Sequence, residues 1–298
     1  MAEEVKKKKK TVSFSQFTNW WTCPHKWYRD HILHEKTFED NLNLCFGTAI
    51  HEVIQLYIKT YFNKGEAKAN TINTTKYLTW VFKRELNFKK IKYKQAEFEE
   101  FLEDGKNILN EFIDPSNFLR HFRPDKWELL GIETELSEDL RNNVSLNAHL
   151  DMVFKEKATG NIRIIDFKTS SRGWNASNKE DFTKTSQLVL YKAIYSKKYN
   201  IPLNKIQVEF IILKRKLFEN SRYQQSRIDV FKPSSFQSDV LQVIQEFGKF
   251  VDTCFTPTGE HRKEQSYPKI PGDRKKNCKY CPHLKNKKCD GIASPITL

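Results

Sequence analysis

Apolar residues return at helical spacing near the start of the chain and again in its second quarter, and at strand spacing beyond residue 125. From Ser13 to His31, Phe14, Phe17, Trp20, Trp21 and Trp27 recur every three or four positions with Pro24 interrupting, which predicts a helix and then a Cys-Pro corner. Residues 46 to 62, FGTAIHEVIQLYIKTYF, carry Phe46, Ile50, Val53, Tyr57 and Tyr61 on one helical stripe. Two Lys- and Glu-rich helices are expected between 74 and 113, inside a helical insertion spanning 63 to 125. Short alternating or apolar runs at 126 to 136, 144 to 156 and 161 to 170 are separated by turn residues and predict an antiparallel meander of three strands. A helix over 184 to 199, a strand over 205 to 216 and a helix over 235 to 251 follow. The core order is αβββαβ, an α/β fold. Past Thr256 the pattern dissolves into Pro, Gly, Lys and Cys, so residues 256 to 298 need something besides apolar packing to order them. The expected organisation is a disordered basic tail over 1 to 12 and one domain over 13 to 298.

Charge narrows the partner. The 298 residues hold 51 Lys and Arg against 37 acids, a formal charge of +14. The run KKKKK at 6 to 10 is a solvated tail by its pattern, and setting it aside still leaves +9. A basic body favours a polyanionic partner such as nucleic acid. No stretch of 18 apolar residues and no apolar leader is present, which points to a cytoplasmic protein without a membrane partner. In that setting the six cysteines are expected to be thiols or metal ligands. A G-x-x-x-x-G-K-[ST] loop is absent, so the chain is not expected to be an ATP-driven motor.

The segment RIIDFKTS, residues 163 to 170, carries the candidate chemistry. In a strand, residues two apart share a face, so Asp166 and Lys168 point one way while Ile165 and Phe167 point the other. The turn EKATGN centres a hairpin near Thr159, and the register it sets places Asp151 opposite Asp166, roughly 4.5 to 5.5 Å apart at Cβ. Two facing carboxylates stay ionised together only with a cation between them. Oxygen ligands suit Mg²⁺ or Mn²⁺, which bind phosphate oxygens and acidify bound water. Lys168 would then orient the attacking water or stabilise charge on phosphorus. An exposed Asp-Lys pair at a strand end is the bland alternative.

Four motifs occur in order: FGTAIHE at 46 to 52, HLD at 149 to 151, IIDFKTS at 164 to 170 and QLVLY at 187 to 191. Together they resemble the PD-(D/E)XK nuclease superfamily, and within it the RecB-type exonuclease branch, which includes the AddB nuclease domain, the RecB-like nucleases of CRISPR adaptation and phage homologues. The resemblance implies a restriction-endonuclease-like core in which His51, Asp151 and Asp166 bind the metal, Lys168 is catalytic, and Gln187 and Tyr191 form the Q-x-x-x-Y signature beside them. Glu52 is expected behind these ligands. Where members commonly carry Gly three residues before the first aspartate, this chain has Ala148.

Cys278, Cys281 and Cys289 lie in CKYCPHLKNKKC, and Cys23 lies far upstream in WTCPHKW. By resemblance this one-plus-three arrangement is a clamp holding a [4Fe–4S] cluster between the two ends of the chain, although seven residues separate Cys281 from Cys289 where the branch has five. The rival is a zinc site on the same four cysteines, or with His25 or His283 replacing one. Cys45 and Cys254 read as small buried residues.

The expected function is a divalent-metal-dependent deoxyribonuclease working as an exonuclease on DNA ends in recombination, repair or phage DNA processing. Lys214, Arg215 and Lys216 are expected to hold the nucleic acid. The host would be a bacterial cell, or the cytoplasm of a phage's host. The alternatives are a non-catalytic nucleic-acid-binding module and a scaffold subunit beside a helicase, recombination or CRISPR-adaptation partner.

Overall fold

A computed structural model describes residues 9–35 and 41–294 of the chain. In chain order the first elements are β1 (Lys10–Val12), α1 (Phe14–Thr22), α2 (Pro24–His31), α3 (Leu42–Lys64), α4 (Glu66–Ala69), α5 (Thr74–Phe88), α6 (Gln95–Ile113) and α7 (Pro115–His121). The second half holds β2 (Trp127–Asp139), β3 (Val144–Glu156), β4 (Ile162–Ser170), α8 (Ala176–Glu180), α9 (Phe182–Tyr199), β5 (Ile206–Lys214), β6 (Ile228–Phe231), α10 (Gln237–Cys254) and α11 (Pro282–Lys285). The expected order αβββαβ is present as α3, β2, β3, β4, α9 and β5. The basic tail is shorter than expected, because Lys10–Val12 form a strand and Lys9 pairs with Asp139 at 2.5 Å. Residues 1–8 lie outside the described residues.

Local chemistry sets the helix ends. Asn41 caps α3 by accepting the Leu44 N–H, and Gly65 closes the helix at φ 84°, where a side chain would be strained. Asp181 caps α9 through the Thr183 N–H, and Asn200 ends it in the left-handed region. The sheet lies between two apolar layers. One contains Phe14, Phe17 and Trp27 of α1 and α2 with the inner stripes of α9 and α10. The other contains the buried stripe of α3 together with α5, α6 and α7.

The central strand is β3. Along one edge β2 pairs with nearly its whole length, antiparallel. The other edge is shared: β4 pairs with Met152–Lys155 and β1 with Val144–Leu146. Between those ladders β3 and β4 part company and leave a fork. Beyond β4 the sheet continues with β5, parallel, and β6, antiparallel.

Candidate active site

The fork begins at two acids. The ladder between β3 and β4 runs from Lys155↔Ile162 to Met152↔Ile165, and the next step of that register would set Asp151 against Asp166. The ladder stops there. On its other side Asp151 is skipped too, since β2 pairs Ile132 with Met152 and Thr134 with Leu150. Leu146, Ala148 and Leu150 belong to one apolar layer while Met152 and Phe154 belong to the other, so β3 exchanges its faces at Asp151. The observed register therefore runs in step with the hairpin arithmetic up to the two acids, where β3 and β4 stop pairing while Asp166 stays in register with Phe210 of β5.

Two further elements, α9 and α3, converge on the two acids. Asp151 Oδ2 accepts the Phe167 N–H at 2.7 Å. Asp166 is buried, with Oδ2 2.8 Å from Lys168 Nζ. Lys168 Nζ donates to Gln187 Oε1 at 2.9 Å, and Gln187 Nε2 donates to Tyr191 Oη at 3.2 Å, one turn along α9. His51 enters from α3, its Nδ1 3.9 Å from Asp151 Oδ2. A Cβ on Gly47 would lie 3.1 Å from Thr169 Oγ1, so α3 presses against the end of β4 and carries His51, one turn on, to the acids.

The electrostatics are those of an unfinished site. Burial, then the charge of Asp166, then Glu133 hold the Asp151 carboxyl well above the usual range, against the Phe167 N–H and Lys168. Burial raises Asp166 too, opposed by Lys168. His51 is pushed down to about 3 by burial and then by Lys168, so its ring is neutral and its approach to Asp151 is no ion pair. Burial pushes Tyr191 up to about 12. His51 Nε2 is buried without a hydrogen-bond partner. Two carboxylates and a neutral imidazole around one lysine are short of positive charge, and the donor set of oxygen and imidazole nitrogen is one that Mg²⁺ or Mn²⁺ accepts. Among the described residues no three His, Cys, Asp or Glu side chains already stand as a closed metal site.

Beside Lys168 opens a groove of about 560 Å³ lined by Ser13, Ser15, His149, Trp174, Lys184 and Gln187, among others. The sequence pattern of the PD-(D/E)XK nuclease superfamily matches the chain over residues 11–285. The chain belongs to the PD-(D/E)XK nuclease superfamily. No curated protein sequence matches it. Among solved structures it is similar to a protein of Eubacterium rectale described as a candidate exonuclease, at 12% identity and a TM-score of 0.43, covering 85% of this chain and 84% of that one.

Other positions of this superfamily member lie where the sequence did not place them. Glu52 does not stand behind the residues expected to bind metal: it turns toward the insertion, with Arg84 Nη2 at 2.6 Å and Tyr77 Oη at 2.8 Å. Lys214, Arg215 and Lys216 are engaged inside the fold. Lys214 pairs with Asp229 at 3.2 Å, Lys216 with Glu100 at 2.8 Å and Asp104 at 2.9 Å, and Arg215 with Asp104 at 3.3 Å while stacking 3.5 Å from the Phe101 ring. These cations fasten β5 to α6 and β6, so the expectation that they hold nucleic acid has no support in their placement. Missed altogether was Glu133, held at φ 48° and reached by the Gln55 amide. Glu133 and Asp151 share the skipped step of the β2–β3 register, between Ile132↔Met152 and Thr134↔Leu150, so the arithmetic that paired the two aspartates, applied to the preceding hairpin, finds it. A non-glycine residue in that conformation costs about 1–3 kcal/mol.

The two ends of the PD-(D/E)XK chain do meet. Cys23, Cys278, Cys281 and Cys289 line one small cavity together with His25 and His283. None of the six cysteines forms a disulfide among the described residues, and Cys45 and Cys254 are buried as expected. The Ile270 N–H points at Cys23 Sγ at 3.4 Å and the Gly291 N–H at Cys289 Sγ at 3.5 Å. Asn277 Nδ2 reaches the Thr22 carbonyl at 3.1 Å, and the His25 N–H the Pro268 carbonyl at 3.2 Å. Burial, then the neighbouring Cys281, Cys23 and Cys289, raise the Cys278 thiol. Thiolate ligands suit zinc or iron, and no helix among the described residues is long and apolar enough to cross a membrane.

Proposed function

We propose that this chain is a divalent-metal-dependent deoxyribonuclease of the RecB-type branch, working as an exonuclease on DNA ends. The observation that carries the reading is the pair of carboxyls, half-buried Asp151 and buried Asp166, both raised out of the ordinary range beside a lysine clamped between Asp166 and Gln187.

In this reading Asp151, Asp166 and the neutral ring of His51 hold Mg²⁺ or Mn²⁺. The bound ion supplies phosphate-charge neutralisation and an acidified water. Lys168 holds the attacking water in line with the phosphorus and offsets charge on the non-bridging oxygens. Gln187, itself held by Tyr191, fixes the ammonium group, so the angle of approach does not depend on a free side chain. The groove beside Lys168, with Lys184, the hydroxyls of Ser13 and Ser15 and the indole of Trp174, suits a strand lying backbone-inward with a base against an aromatic face. Glu133 shares the negative field that attracts the ion. The four cysteines, holding an iron–sulfur cluster or zinc, clamp α1 and α2 to the C-terminal segment, whose own apolar content is low. The domain is one nuclease unit over 13–298, with 63–125 as an insertion, and a recombination or helicase protein is the fitting partner.

The test is digestion of end-labelled single- and double-stranded DNA by the purified chain in Mn²⁺, Mg²⁺ or chelator. Nucleotides released progressively from one end, only with metal, are expected. Cleavage that persists in chelator, or that survives Asp166→Ala, contradicts the assignment.

A further inference from the structure

His283 is the most enclosed histidine near the cysteines, with 1% of its surface exposed. Its Nε2 lies 2.8 Å from Asp30 Oδ1, and Asp30 is itself buried. Its Nδ1 is buried and has no hydrogen-bond partner. Leaving such an atom unmatched costs about 1–3 kcal/mol. A carboxylate on one ring nitrogen fixes the tautomer: Nε2 carries the proton and donates to Asp30, and Nδ1 presents a lone pair. That is the arrangement in which an imidazole ligates a metal, its other nitrogen braced by an acid.

His283 lines the same cavity as Cys23, Cys278, Cys281 and Cys289. Backbone geometry ties it to them. Pro282 begins α11 immediately after Cys281, so His283 follows that thiol by two residues. The His283 carbonyl accepts the N–H groups of Lys288 at 2.8 Å and Cys289 at 3.1 Å, so this cavity-lining residue also turns the chain back to bring in the last cysteine.

We propose that His283 is a ligand, through Nδ1, of the metal held at the cysteine clamp, which is then a mixed centre of three thiolates and one imidazole with the fourth cysteine outside it. Asp30 is the positioning residue. The inference rests on the clamp reading above and amends it, with the ring taking the place of one of the four cysteines as ligand. Exchanging one thiolate for a neutral ring removes one negative charge from a half-buried site, which lowers its desolvation cost. The imidazole takes the same place whether the metal is zinc or one iron of a cluster; at an iron cluster, nitrogen ligation raises the reduction potential.

The experiment uses the full chain as purified. After metal analysis, X-ray absorption at the edge of the metal found is recorded for the wild type and for His283→Gln. A zinc protein is expected to show an imidazole nitrogen at about 2.0–2.1 Å beside sulfur at about 2.3 Å, with the nitrogen lost in the variant. For an iron cluster the equivalent signature is a ¹⁴N coupling in pulsed EPR of the reduced protein that His283→Gln abolishes. Asp30→Asn keeps the ring and the fold, and should release metal to a chelator about 10–100-fold more readily. An all-sulfur centre, unchanged in either variant, overturns the inference and leaves the cysteine clamp standing. A wild type without metal overturns the clamp itself, and the inference falls with it.

Discussion

Strand β4 carries two buried charge clusters that begin three residues apart, and they are opposite in kind. At its start Arg163 meets Glu209 of β5, the two side chains 7% and 3% exposed, with Arg163 Nε donating to Glu209 Oε1 at 2.8 Å and a further bond to the His121 carbonyl. The guanidinium also lies over the rings of Phe122 and Trp127. Every charge there has a counter-charge. At Asp166 a like-charged carboxyl, Asp151, is close, one lysine serves both, and a histidine nitrogen is orphaned. Burial alone therefore does not distinguish a functional group from a structural one. What distinguishes them is whether the protein's own atoms complete the electrostatics, and the end that is incomplete is the end where a ligand is needed.

Substitutions on the two sides should separate stability from activity. The largest effect is expected from Asp166→Ala, which lowers cleavage on the order of 10³-fold or more and leaves DNA binding intact in a gel-shift titration. Glu209→Ala leaves a buried guanidinium without its partner and should cost about 3–5 kcal/mol, read as a lower denaturant midpoint; a change below about 1 kcal/mol would mean that the pair is not the structural counterpart described here.

Asp151→Asn should do the reverse of Glu209→Ala. In chelator it removes a charge the fold leaves uncompensated, and it raises stability by about 1–2 kcal/mol at neutral pH. The sign depends on pH. Because the folded carboxyl titrates above its ordinary 3.8, both states are protonated below that value and the wild type carries no penalty. The penalty grows as pH rises toward and through the raised folded value. The advantage of Asp151→Asn in thermal unfolding should thus vanish below about pH 3.8 and widen above it. A pH-independent difference would mean that neither burial nor the charge of Asp166 raises the Asp151 carboxyl. The smallest effect is expected from Glu133→Gln, which weakens metal affinity several-fold through charge alone and leaves maximal cleavage nearly unchanged at saturating Mn²⁺.

Much of this was legible in the residues. The stripe from Phe46 to Tyr61 gave α3, the KATG turn gave the register that faces Asp151 with Asp166, and the four-residue spacing of Gln187 and Tyr191 gave their shared helix face. All three are local periodicities, fixed by backbone geometry. What escaped depends on distant partners. Lys214, Arg215 and Lys216 look like a free basic patch until α6 supplies Asp104 and Glu100, and Glu52 looks like a neighbour of His51 until α5 supplies Arg84. The fork was hidden as well, since it exists only because a three-residue strand, β1, takes the far half of an edge that β4 abandons.

Titration of the metal-free chain with Mn²⁺, followed by calorimetry or by EPR of the free ion, tests most directly whether the two acids share a cation. The wild type should bind Mn²⁺ and gain thermal stability as it does so, while Asp151→Asn and Asp166→Asn each lose most of both effects. Equal Mn²⁺ binding by all three proteins would contradict a shared ion between Asp151 and Asp166.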